Sequence, residues 1–132
     1  MYTFKYSYDS QNAFETCTIE TDLCLLANRF DIQGLKETSE TSFDRTMNSV
    51  GREEWIALED EATKVIKKLY QSSEVTAVLR GLLVSSFVSN HVLAIEGGVA
   101  AYKKVMEQIP GFAMDIARAA AEQMEQAEVG RK

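Results

Sequence analysis

Residues 52–72 read REEWIALEDEATKVIKKLYQS, and the placement of their apolar side chains decides the fold class. Trp55, Leu58, Ala62, Val65, Ile66 and Leu69 recur at threes and fours, the spacing that collects them on one side of an α-helix. Glu53, Glu54, Glu59, Asp60 and Glu61 come early and Lys64, Lys67 and Lys68 late, an order that complements the helix dipole and reads as a solvated face. Trp55 is expected in the core, with the acidic start of this helix beside it.

Outward from this helix the same period continues in both directions. Residues 74–95 carry Val75, Val78, Leu79, Leu82, Leu83, Phe87, Val88, Val92, Leu93 and Ile95, an arc wide enough to predict a largely buried core helix ended by Gly97-Gly98. A helix over 99–108 turns Tyr102, Val105 and Met106 inward, followed by Ile109, and Pro110-Gly111 stops it. The last helix, 112–127, uses Phe112, Ile116, Ala119, Ala120 and Gln123, and the tail after it should fray. On the N-terminal side, Asn48-Ser49-Val50-Gly51 is a turn. Before it, residues 32–47 form a helix with Asp31 as its cap, Leu35 and Phe43 on one side, and Gly34 placed for a close helix approach. In 14–30 the apolar positions Ile19, Leu23, Leu26, Ala27 and Phe30 form one face of a helix. Residues 2–8 differ: Tyr2, Phe4, Tyr6 and Tyr8 alternate with polar residues, which is strand periodicity. The expectation is a mainly α single domain, a bundle of about six helices with a short N-terminal strand.

Composition narrows the function. A net charge of -6 and a pI near 4.8 repel nucleic-acid backbones and anionic lipid, so neither is expected as a partner. No apolar run reaches the roughly 20 residues of a bilayer span, and the first residues lack the apolar segment of a signal peptide, so a cytoplasmic or nuclear protein is expected. Cys17 and Cys24 are seven residues apart, about 10 Å along a helix, too far for a disulfide, and should be buried thiols.

Catalytic patterns are missing. His91 is the only histidine, so no histidine pair can hold a metal, and it reads as structural or surface. Cys24 has no cationic neighbour in sequence to stabilise a thiolate. Gly97-Gly98 lacks the Lys and Ser/Thr of a phosphate loop, and adjacent carboxylates such as Glu53 and Glu54 diverge on a helix. No catalytic residue, cofactor or metal site is expected. Tyr2, Phe4, Tyr6 and Tyr8, by contrast, are side chains of the kind that anchor interfaces, on a strand whose backbone invites pairing.

Taken together, YTFKY (2–6), LANRFDIQGLKE (26–37), Phe43, Trp55, VIKKLYQS (65–72) and LRGLLV (79–84) resemble the latter half of a BTB/POZ domain of the fungal type with its helical extension. The most specific part, Ala27 to Glu37, is similar to the family's "ALADKYDIPGLKELA" helix pair. The resemblance assigns 2–47 to the domain's latter part and 52–128 to the extension. It implies a protein-interaction module that dimerises or serves as an adaptor, in some members linking substrates to the cullin scaffold of a ubiquitin ligase. The stretch that builds the family's sheet has no counterpart in the chain, so helix faces left uncovered should be met by another polypeptide. The expected interface is Tyr2, Phe4, Tyr6, Tyr8, Phe14, Leu23 and Leu26, with a second copy or the other subunits of a larger assembly as partner. Two rival expectations stand beside it: a substrate adaptor that touches a cullin scaffold through its paired C-terminal helices, and a small helical ligand-binding protein or enzyme with a pocket between the fourth and sixth helices near His91, which a cavity lined by His91, Cys24 and a carboxylate would support.

Overall fold

The structure is a computed structural model that describes residues 12–71, 76–94 and 96–130, with side chains through 125. The alternating 2–8 segment lies outside the described residues. Within them the chain is all helical: α1 (Ala13–Arg29), α2 (Gln33–Ser49), α3 (Arg52–Ala57), α4 (Glu59–Gln71), α5 (Ala77–Ser89), a 3₁₀ turn (Val92–Ala94), α6 (Gly98–Gln108) and α7 (Pro110–Gly130). α1 and α2 form a closely packed hairpin, with α2 resting on α5 and α1 on α4, while α6 and α7 close the far side.

An aromatic cluster sits where these layers meet. Phe87 of α5 has its ring 5.2 Å from Trp55, 5.0 Å from Tyr102 and 5.5 Å from Phe112, each edge to face. Phe14 of α1 adds a fourth contact to Trp55 at 4.9 Å. All five rings are buried, and edge-to-face pairs add to their burial because the positive ring edge meets the negative face. The Tyr102 hydroxyl donates to the Trp55 carbonyl, which ties α6 to α3. Among the described residues the buried Trp55 indole Nε1 has no hydrogen-bond partner, a cost that the packing around the ring must outweigh.

Local chemistry moves several boundaries from their expected places. The 52–72 helix breaks at Leu58 (φ -111°), giving two helices. Glu59, Asp60 and Glu61 thereby occupy the first turn of α4, where the helix dipole favours negative charge, rather than a helix interior. Asp31 is not the cap of α2. It takes a left-handed conformation (φ 54°) as the residue after α1's C-cap, with Ile32 N bonding to Ala27 O at 2.8 Å and Asp31 N to Asn28 O at 3.3 Å. This pair of bonds closes α1 as a Schellman turn. Gly34 makes no close helix approach, since a Cβ there would meet nothing within 4 Å.

The core helix also ends earlier than its apolar arc suggests, at Ser89. Asn90 Nδ2 donates to Ser86 O (2.8 Å) and Val50 O (3.3 Å), and Asn90 O accepts from Arg52 Nε (3.0 Å), which stitches this end to the α2–α3 connection. The apolar stretch from Ala77 to Ala94 has the length of a membrane span, but the turn at Asn90 and His91 divides it, and Leu79, Leu83 and Phe87 enter the core. Pro110 opens α7 rather than merely stopping α6, because its missing N–H is one that the first helical residue does not need. Gly97 is left-handed (φ 84°), and a Cβ on Gly98 would lie 1.8 Å from the Val92 carbonyl oxygen.

Two stability predictions follow from this packing. Phe87→Ala should cost about 3–5 kcal/mol in urea unfolding followed by the fluorescence of Trp55, the sole tryptophan. Gly98→Ala should cost more than about 1 kcal/mol in the same assay, because backbone and not a flexible side chain must give way.

Candidate functional site

α1 buries one mixed side and carries a second, apolar stripe on its outer side. Its inner side buries Phe14, Thr16, Cys17, Glu20, Thr21, Cys24 and Ala27. The hydroxyls enter the interior without penalty because each bonds a carbonyl one turn back: Thr21 Oγ1 to Cys17 O at 2.8 Å, Thr16 Oγ1 to Asn12 O at 3.3 Å. Their small volume also lets α2 approach closely, and Ser39 on α2 repeats the device through Leu35 O. Asn12 starts the helix by accepting a bond from Glu15 N at 2.9 Å.

The outer side carries Ile19, Leu23, Leu26 and Phe30. Ile19 and Leu23 are half-buried, Leu26 is 45% exposed and Phe30 64% exposed. Ile32, held by the Schellman turn next to Phe30, is 46% exposed. Isolated exposed apolar residues are ordinary, but these follow one another along a single helix and its turn. Asp22 borders the stripe and pairs with Lys68 of α4, and Arg29 stands exposed at its far end.

The residues expected at an interface divide accordingly. Tyr2, Phe4, Tyr6 and Tyr8 lie outside the described residues. Phe14 is a correction: it is fully buried against Trp55 and so belongs to the core. Leu23 and Leu26 lie on the outer stripe. Phe30 and Ile32 were not among the expected interface residues, although the 4-3-4 spacing from Ile19 to Phe30 carried the signal for Phe30.

Glu20 is the one buried carboxylate in the hairpin, 3% exposed between α1 and α2. Its Oε2 lies 3.3 Å from Thr46 Oγ1, and its buried Oε1 has no hydrogen-bond partner among the described residues. Thr46 has one hydroxyl proton, and the Ser42 carbonyl at 2.9 Å is the better acceptor for it. Thr46 Oγ1 is the donor to Glu20 Oε2 and shares its proton with the Ser42 carbonyl, so the carboxyl is only partly satisfied. Burial pushes the carboxyl up from 4.5 to about 7, against the opposing pull of Thr46 and of Arg45. Burial likewise raises the Cys17 and Cys24 thiols, so both are free and protonated.

Elsewhere the concave surface is sparse in chemistry. A groove of about 620 Å³ between α5 and α7 has Ala77, Gly81, Ser85 and Ser89 along one wall and Asp115, Arg118 and Glu122 along the other. An apolar recess of about 170 Å³ lies beside His91, lined by Phe87, Val92, Leu93 and Ile116. The recess beside His91 includes neither Cys24 nor a carboxylate: His91 is exposed on a left-handed turn, and Cys24 is buried in α1. Among the described residues no three His, Cys, Asp or Glu side chains gather as metal ligands. Compared with protein families, with curated proteins and with solved structures, the chain matches none.

The raised Glu20 carboxyl links pH to stability. A folded state that holds this proton more tightly than the unfolded chain gains stability at low pH and loses it as pH rises from about 4.5 to about 7. Glu20→Gln should therefore raise unfolding free energy at pH 8 by on the order of 1–3 kcal/mol and flatten the profile between pH 5 and 7. Urea titrations across that range check it.

Proposed function

We propose that this chain is a protein-interaction module that receives a partner on the outer face of α1. The observation that carries the reading is the second apolar stripe of that helix: its buried side holds Phe14, threonines, cysteines and Glu20, while Leu26 and Phe30 stand exposed on the other. Holding Leu26, Phe30 and Ile32 in water costs free energy that a docked apolar surface recovers, roughly 25 cal/mol per Å² covered. The stripe has the spacing by which one helix lies along another, and its rim carries charges of both signs at Asp22 and Arg29. The resemblance to the latter half of a BTB/POZ domain points to the same class of function. Its most specific stretch, Ala27 to Glu37, contains both Phe30 and Ile32.

The test is affinity capture with the full chain and with the pair Leu26→Asp and Phe30→Asp. Both positions are exposed, so the variant should melt within about 0.5 kcal/mol of the parent, whether judged by circular dichroism or by Trp55 emission. Proteins that co-purify stoichiometrically with the parent, other copies of the chain included, should fall at least about tenfold with the variant. The same set retained by both would refute the docking face.

A further inference from the structure

From the spacing and the rim charges we infer that the occupant of the α1 stripe is the α1 helix of a second copy of this chain, lying antiparallel; this rests on the docking reading above. Ile19, Leu23, Leu26 and Phe30 are separated by four, three and four residues, the alternation of a two-stranded helical seam. Two such seams run in opposite directions bring Ile19 against Phe30 of the other copy and Leu23 against Leu26, four layers about a twofold axis.

The residues beside the seam choose the orientation. On one edge stand Glu20 and Ala27, both buried within their own chain and unavailable to a neighbour. On the other edge stand Asp22, its side chain 56% exposed, and Arg29, exposed. Antiparallel packing sets this edge against the same edge of the second copy. Asp22 then faces Arg29 of the other helix, and the symmetry makes the pairing twice. Asp22 would bridge its own Lys68 and the incoming guanidinium, a network with one carboxylate between two cations. Parallel packing would set Asp22 against the buried Ala27 edge and leave both charges unmatched. Phe30 and Ile32, held by the turn at Asp31, cover the ends of the paired helices.

A four-layer seam is a small interface, below the roughly 1,200 Å² of stable complexes, so the pairing is concentration-dependent. Sedimentation equilibrium of the full chain from about 5 to 500 μM should show a monomer–dimer equilibrium with a dissociation constant on the order of micromolar. Arg29→Glu places like charges across the axis twice and should raise that constant about tenfold. Asp22→Lys together with Arg29→Glu should return it to within about threefold of the parent, a recovery that a merely structural effect would not give. Leu26→Asp with Phe30→Asp should leave only monomer.

Dimerisation that ignores the Arg29 reversal, or that the double reversal fails to rescue, overturns the antiparallel pairing. A strictly monomeric chain overturns it as well. If that monomer is destabilised by Leu26→Asp with Phe30→Asp, the chain's own residues cover the stripe. If its stability is unchanged and the same pair abolishes capture of a different protein, self-pairing fails while the docking function stands.

Discussion

Burial of the Phe87 ring against Trp55, Tyr102 and Phe112 is the contact on which the other layers depend. It joins α5, α3, α6 and α7 at one point, and Phe14 extends it to α1. Among the described residues α3 to α6 have 13 residues or fewer, lengths at which an isolated helix is marginal in water. Their persistence therefore comes from tertiary burial. The polar contacts around the cluster orient it: Tyr102 binds the Trp55 carbonyl, Tyr70 donates to Asp115 at 2.6 Å, and Ser86 reaches Met47 O at 3.1 Å. Each joins helices far apart in sequence.

Within that frame α1 does something the other helices do not. It reaches the core with one aromatic side chain, at its first turn, and otherwise packs through hydroxyls, thiols and Ala27. Close approach replaces bulk as the source of contact, since small side chains let the α1 and α2 backbones draw together. The larger apolar groups are thereby free to lie outside. A helix that used leucine for its own core would have no such surface to offer. The Glu20 carboxyl belongs to the same design, because a neutral carboxyl fits between the helices where a charged one would demand more partners than Thr46 supplies.

The helical class, the Trp55 core position and a break before residue 52 were legible in the sequence because apolar periodicity and turn residues report directly on burial, although α2 runs on through Asn48 and Ser49 and the break is confined to Val50 and Gly51. The orientation of α1 was less so. Leucine and phenylalanine at helical spacing mark a face that needs covering, without saying whether the chain or something else covers it. That Thr16 and Thr21 were the buried side depends on bonds to carbonyls one turn back, which hydropathy does not register. The break at Leu58 and the end of α5 at Ser89 were hidden for another reason. Neither has glycine or proline, and both follow from contacts with distant residues: the cluster at Trp55 and the stitching of Asn90 to Val50 and Arg52. Asp31 misled through its ambiguity, since aspartate serves equally as an N-cap and as a left-handed residue after a helix.

Cys17 and Cys24 lie on the inner side of α1, sealed by α2 and the core, with no sulfur partner. Sealed in this way, a thiol is reached by an alkylating reagent only when the hairpin parts. The rate at which both sulfurs are capped is thus a built-in clock for the opening of α1 from the rest of the molecule. A neighbour that settles on the opposite, leucine-bearing side would slow that clock without ever touching the sulfurs.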